Sequence, residues 1–403
     1  MRSVRDAGAV RDVRGRHAAR PRGARGLRCA RSQDRRGRQR AGPVCRNAPE
    51  PPDRHPRQRA RAGMRRHAAR VFCRAARQPA RRAHGLRLRR FRFRRMTTVR
   101  LIAPSGYPND AAIAERGLAF LQGQGCTVVN PACLARQHQR FAGGELARLA
   151  DLHQIGTGSG QEIAMAIRGG YGLTRLLERI DFIGIGRRAQ ATDAIIVGHS
   201  DFTAFSLAYL AATGGVTFAG PHVCSDFGLE TVDPFMVEHF WGILRNPAYT
   251  LRVDALQSGD CARPGRYAGT LWGGNLAMLC SLLGTPYLPD IRDGILFVED
   301  INEHPYRVER MLLQLQQAGV LDGQQALVLG DFSGYKTTPY DAGYDFDAML
   351  AYLAEHLSIP VVSGLPFGHC PTKATLPIGA QAELDVDADG FTLHLSGYPT
   401  LRG

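Results

Sequence analysis

The chain has 403 residues and a formal net charge of +16, but residues 1–95 alone hold 32 Arg, no Lys and five acidic residues, a balance of +27. Residues 96–403 therefore carry −11, which argues against a nucleic-acid partner for the body of the protein. No run of 18 apolar residues is present, so no membrane-spanning helix is expected.

Residues 1–95 contain no Ile, Thr, Tyr or Trp and show no apolar periodicity, so this Arg-rich segment is expected to be disordered. It has neither the apolar stretch of a signal peptide nor the Ser content of a transit peptide. A basic nucleic-acid-binding arm is one reading. The reading adopted is upstream GC-rich DNA translated ahead of a start at Met96, because "MTTVRLIAPSG" opens directly onto an ordinary strand. Six cysteines follow Met96 (Cys126, Cys133, Cys224, Cys261, Cys280 and Cys370) with no CxxC pair, as expected of reduced thiols in the cytoplasm.

From residue 99 short β-like runs alternate with helical ones. The strand "VRLIAPSG" precedes the amphipathic "DAAIAERGLAFLQGQG", and "CTVVNP" precedes the helical "GELARLADLHQIG". "GTGSG" precedes a strand instead of opening a helix, so it reads as a turn and not as a phosphate loop. Then come the strand-turn-helix "EIAMAIRGGYGLTRLLERI", with "LTRLLERI" as its helix, and a second strand-turn-helix, "AIIVGHSDFTAFSLAYL". This alternation predicts a wound, mostly parallel α/β domain over residues 96–225. Residues 226–265 read as a helical connection. A second, β-rich and barrel-like α/β domain follows over 266–403, from "YAGTLWGGN" through "GILFVED", "QALVLGDF" and "IPVVSGLPFG" to "QAELDVDADGFTLHLSG".

Ser200 sits where the run Ala194–Val197 meets Gly198 and a helix begins. Such a turn exposes a hydroxyl at the carboxyl end of a sheet, and the next backbone N–H lies at a helix N-terminus, suited to a developing oxyanion. The same residue could serve only as a helix cap. A serine nucleophile needs a base and an orienting acid. His222, His239, His304, His356, His369 and His394 are the later histidines, and His369 lies in the Gly- and Pro-rich "GLPFGHCPTKATLPIG". Among the carboxylates, Glu299 ends the apolar strand "GILFV", Asp300 is expected on the opposite face, and Glu303 and Glu309 on the surface or in the next helix. Gly169 and Gly170 make a second tight turn that permits close backbone approach to a ligand.

The blocks "RGGYGLTRLL", "VGHSDFTA", "LWGGNLAMLCSLLGTPYLPD", "GILFVEDINEHPYRVERMLLQL" and "GLPFGHCPTKATLPIGA" together resemble the LD-carboxypeptidase family of serine peptidases, over residues 98–403. The resemblance implies a Ser200–Glu299–His369 triad, with the backbone N–H groups of Asp201 and Gly170 as oxyanion donors. It implies a site in the cleft between two domains, no metal or organic cofactor, a tendency to homodimers, and release of terminal D-alanine from muropeptide tetrapeptides in peptidoglycan recycling. His199 stands where the family often has tyrosine, a departure that bears on substrate placement and not on the chemistry. Two alternatives stand beside this expectation: a microcin C self-immunity type of hydrolase acting on peptidyl- or aminoacyl-nucleotides, and a non-catalytic or nucleic-acid-binding protein.

Overall fold

Strands that are apolar on both faces can survive only if helices cover both sides, and the first half of the chain meets that condition. The computed structural model describes residues 97–254 and 263–402; the expectation for residues 1–95 lies outside the described residues, as does Cys261. The first sheet is assembled from β1 (Thr97–Ile102), β2 (Cys126–Val129), β3 (Glu162–Ala166), β4 (Ile195–Val197) and β5 (Thr217–Ala219). Helices α1 (Ala111–Gly123), α2 (Glu145–His153), α3 (Phe182–Thr192) and α4 (Thr203–Thr213) wind between them. All residues of β3, β4 and β5 are buried. Aspartates start two of these helices: Asp110 accepts from the Ala112 N–H at 2.9 Å and Asp181 from the Gly184 N–H at 2.9 Å.

In this sheet β1 lies between β3 and β2, with β4 and β5 continuing beyond β3, all parallel. The strand order reverses between β1 and β3, so the loops after these strands diverge and leave a crevice at the carboxyl ends. The sixth strand, Leu376–Ile378, comes from near the end of the chain and pairs antiparallel with β5.

The second sheet follows α5 (Pro234–Arg245). Its strands are β6 (Ala248–Asp254), β7 (Gly265–Asn275), β8 (Gly294–Ile301), β9 (Gln324–Ser333), β10 (Val361–Ser363), β12 (Ala380–Val386) and β13 (Gly390–Ser396), the returning Leu376–Ile378 being β11. Helices α6 (Leu276–Ser281), α7 (Pro305–Gln317) and α8 (Phe346–His356) intervene. The strand order is β10-β9-β8-β7-β12-β13-β6; the first four are parallel and the rest antiparallel. Both sheets belong to one compact unit. Among the described residues no helix is long and apolar enough to cross a membrane.

Several elements differ from the sequence expectation. "LTRLLERI" forms two single 3-10 turns, Leu173–Arg175 and Leu177–Arg179, and a regular helix begins only after the Asp181 cap. Residues 226–265, read as a connection, contribute β6 as the edge strand beside β13. Helices α3 and α8 were not marked by the sequence reading, since Gly184 and Gly186 interrupt the pattern of the first.

The segment between β10 and β11 (residues 364–375) carries the chain from the second sheet to the first. It is seated on β9, where the Asp331 N–H donates to the Phe367 carbonyl at 2.8 Å. Gly330 makes room for that seat: a Cβ there would stand 2.4 Å from the Phe367 oxygen and 3.3 Å from the Glu299 Cβ. Gly330→Ala is therefore expected to cost about 1–3 kcal/mol of stability by overpacking. A thermal melt of the full chain checks this; an unchanged midpoint would show that the seat yields freely.

Candidate active site

Only Gly198 and His199 separate β4 from the first helical turn, Ser200–Phe202. The turn closes because Gly198 has no side chain; a Cβ there would stand 2.6 Å from the Phe202 ring and 3.0 Å from the Ala166 Cβ. Ser200 takes φ 61°, the left-handed region that costs a side-chain-bearing residue about 1–2 kcal/mol. Its hydroxyl is thereby turned toward the loop after β3. At Gly169 a Cβ would lie 2.7 Å from the Ser200 Cβ and 2.8 Å from its Oγ, so only glycine leaves the hydroxyl free.

His369, on the segment that crosses between the sheets, meets this hydroxyl: Nε2 is 2.9 Å from Ser200 Oγ. Its Nδ1 is 2.7 Å from Glu299 Oε2. Because the carboxylate can only accept, Nδ1 carries the proton and Nε2 is left to accept from the serine. Gly368, at φ 149°, brings the backbone to within reach of Glu299; a Cβ there would be 3.3 Å from Oε2. Glu299 is fully buried at the end of β8, where the register with β9 shifts between Val298 and Asp300. Burial alone would lower the His369 pKa, but the hydrogen bond and charge of Glu299 outweigh it and hold the imidazole above its ordinary value of 6.5.

Asn275 supports the carboxylate. Its Nδ2 donates to Glu299 Oε1 at 3.2 Å and to Asp300 Oδ1 at 3.1 Å, while its backbone N–H donates to Thr203 Oγ1 at 3.0 Å. Asp300 spends its oxygens away from the imidazole, accepting from the Ala277 N–H at 2.8 Å at the start of α6 and from the Ile301 N–H at 2.9 Å. Burial pushes its pKa up to about 6. Glu303 pairs with Arg307 and Glu309 accepts from Tyr344 at 2.6 Å, so neither reaches the imidazole. The other histidines are engaged elsewhere. His239 accepts from the Thr375 N–H, His304 caps α7, and His356 and His394 are exposed on α8 and β13.

The glycine turn after β3 faces outward. The Gly106 N–H donates to the Gly169 carbonyl at 3.0 Å, and in a trans peptide that fixes the Gly170 N–H in the opposite direction. Gly170 is exposed and has φ 106°. At the other turn the Ser200 carbonyl accepts from the Thr203 N–H, which turns the Asp201 N–H away from the helix that follows. The Asp201 side chain is buried and ties three loops together, accepting from Ser105 Oγ at 2.6 Å and from the Leu173 N–H at 3.0 Å. Burial raises its pKa, and these two donors and the Arg148 guanidinium only partly offset that.

His199 lies buried beside the imidazole of the triad, its ring centroid 5.4 Å from that of His369. It is 3% exposed, its Nδ1–H donates to the Gly220 carbonyl at 2.9 Å, and its ring stacks on His222 at 3.9 Å between centroids. Its Nε2 accepts from Lys373 Nζ at 3.0 Å, and Lys373 also pairs with Asp226 at 2.7 Å. Lys373, Asp226 and Asn275 carry no mark in the sequence pattern, and His222, a base candidate there, instead packs beneath the turn. One signal was present for the first: of 52 basic residues only Lys336 and Lys373 are lysines.

Two family profiles match the chain: the LD-carboxypeptidase N-terminal domain over residues 99–220 and the LD-carboxypeptidase C-terminal domain over 268–384. A Bacillus subtilis (strain 168) protein named "Probable murein peptide carboxypeptidase" is 33% identical over 288 residues, covering 72% of this chain and 88% of its own length. The Escherichia coli microcin C7 self-immunity protein MccF is 29% identical over 310 residues, covering 69% of this chain and 87% of its own. The crystal structure of muramoyltetrapeptide carboxypeptidase from Oxalobacter formigenes superposes with a TM-score of 0.70 at 44% identity, over 75% of this chain and all of that one.

The electrostatics of His369 can be read directly. In the wild-type protein its imidazole is expected to titrate above 6.5, and in Glu299→Gln at a lower pH than in the wild type, because burial and the Lys373 charge are then opposed only by Asp300. NMR titration of the ring resonances checks this; an equal midpoint in both proteins would contradict the pairing.

Proposed function

The chain belongs to the LD-carboxypeptidase family and is a serine-type carboxypeptidase; from that premise we propose that it releases terminal D-alanine from murein tetrapeptides, as a cytoplasmic enzyme of peptidoglycan recycling. The observation that carries the reading is the unbroken line of hydrogen bonds from Ser200 through His369 to Glu299. The likeness to the Oxalobacter muramoyltetrapeptide carboxypeptidase at 44% identity supports the substrate class.

In this reading Ser200 Oγ attacks the carbonyl of the bond to D-alanine while His369 Nε2 takes the hydroxyl proton. Glu299 holds the imidazole in the tautomer that can accept it and stabilises the imidazolium that forms. The Asp201 and Gly170 N–H groups receive the developing oxyanion, one from a helix N-terminus and one from a glycine turn. His369 then gives its proton to the leaving amine, D-alanine departs, and a water deprotonated by the same imidazole hydrolyses the acyl-Ser200 ester. Next to Gly170, Tyr171 is exposed, with the Arg140 and Arg175 guanidiniums 5.6 Å and 5.9 Å from its ring centroid. A cationic rim of this kind on an otherwise acidic body suits a peptide that ends in a carboxylate.

The test is incubation of the full chain with a defined muropeptide tetrapeptide and assay of released D-alanine. Ser200→Ala is expected to fold normally and lose roughly six orders of magnitude in kcat. Glu299→Gln should lose about 10³–10⁴ in kcat with little change in KM. Gly169→Ala should also be severely impaired, since its methyl group would meet the Ser200 hydroxyl. The base must be neutral to act, so kcat/KM should fall with decreasing pH through a pKa above 6.5. The relative MccF supplies the second reading: hydrolysis of an aminoacyl-nucleotide with the tetrapeptide left intact would favour it and overturn the first.

A further inference from the structure

We propose that Lys373 is a positioning residue, which holds His369 over Ser200 by fastening the segment that carries the base to the buried shelf beneath the nucleophile. His369 and Lys373 lie four residues apart on the crossing segment, whereas Ser200, His199, His222 and Asp226 belong to the first sheet and its loops. The segment touches that side at three more points, but Lys373 is the one that is charged and enclosed. Thr372 Oγ1 donates to Asp233 at 2.9 Å, the Thr375 N–H donates to His239 at 3.1 Å, and Ser200 itself meets His369. The Lys373 side chain is 1% exposed and that of Asp226 6%.

Every polar atom of the shelf has its partner. Asp226 Oδ1 accepts from the ammonium at 2.7 Å and Oδ2 from the His222 N–H at 2.7 Å. His199 Nδ1–H is committed to the Gly220 carbonyl, which leaves the Nε2 lone pair to accept from Lys373. His222 Nε2 accepts from the His199 N–H at 3.2 Å, so its Nδ1–H faces Ser225 Oγ at 3.1 Å. Both rings are neutral: burial drives His199 well below its usual value and His222 to about 3. The shelf lies directly under the site, since a Cβ on Gly169 would be 3.4 Å from His222 Cε1. The donor atoms of His199, His222 and Asp226 lie within 4.8 Å of one another, an arrangement that draws in a cation. The cation present is the lysine ammonium, bonded to two of the three.

A compact ammonium with three donors reaches both acceptors at this spot, a geometry that the planar five-donor fork of arginine does not reproduce, although all but two of the chain's 52 Lys and Arg residues are arginine. The ammonium also acts through space. His369 faces Glu299 and Asp300 on β8, Asp331 on β9, the rings of His199 and His222, and Lys373 on its own segment. The two β8 carboxylates favour its protonated form and Lys373 opposes them. A residue that merely filled space would have no such effect.

Three variants of the full chain test this: Lys373→Met, Lys373→Arg, and Lys373→Met with Asp226→Asn, which removes both buried charges and so keeps a folded comparison if the first variant does not fold. NMR titration of His369 and the kcat and KM for tetrapeptide hydrolysis are measured on each. Lys373→Met should raise the pH at which His369 titrates and lower kcat about a hundredfold, the scale of an ångström's misplacement, with KM little changed. Lys373→Arg should restore the wild-type titration while recovering only part of kcat. The double variant should fold and remain slow. An unshifted His369 titration in Lys373→Met, or wild-type kcat in the double variant, would overturn the proposal. The titration needs no substrate, so it decides the role of Lys373 even if the tetrapeptide proves to be the wrong substrate.

Discussion

Everything at the site depends on one backbone constraint: Ser200 occupies the left-handed region between a buried strand and a buried helix. That conformation is unfavourable by itself and persists only where its surroundings over-determine it. Here Gly198 admits the Phe202 ring on one side and Gly169 admits the serine side chain on the other. Asp201 then locks the turn to the loops after β1 and β3 through Ser105 and Leu173. Relaxing any of these would let the hydroxyl swing off the line toward His369.

The two sheets divide the work, and a closed ring of hydrogen bonds joins them. Thr203, in the first turn of the helix that Ser200 leads into, accepts from the Asn275 backbone; the Asn275 side chain holds Glu299; Glu299 holds His369; and His369 returns to Ser200. Each link is modest, but removing one leaves a buried polar group without its partner, and that is where the cost lies. Adjacent carboxylates at 299 and 300 are tolerable because Asn275 donates to both, and burial together with the Glu299 charge pushes the Asp300 pKa up to about 6.

Sequence patterns revealed the parts whose logic is local. Ser200 was visible because a strand, a glycine and a helix met there, and Glu299 because it ended an apolar run. His369 stood out by its Gly- and Pro-rich surroundings, and the family resemblance singled it out from five other histidines. What stayed hidden is non-local. Lys373 reaches Asp226 across 147 residues, and nothing in the spacing of either announces it. Asn275 read as the end of a strand, yet it caps α6 and braces two carboxylates at once. His199 looked like a neighbour of the substrate because it precedes the nucleophile; the extended backbone there turns its ring inward instead. The short turns at Leu173–Arg175 and Leu177–Arg179 read as a helix because their leucines have helical spacing, yet the chain forms two separate turns there and a regular helix only after Asp181.

The central claim is that Ser200 becomes acylated during peptide hydrolysis. Acid quenching of the full chain within its first turnover of a murein tetrapeptide, followed by mass mapping of the digested protein, tests it most directly. The predicted result is a tripeptidyl mass increment confined to the peptide that contains Ser200, appearing in step with the first equivalent of D-alanine. Release of that equivalent with Ser200 unmodified, or with the acyl group on another side chain, would contradict the account.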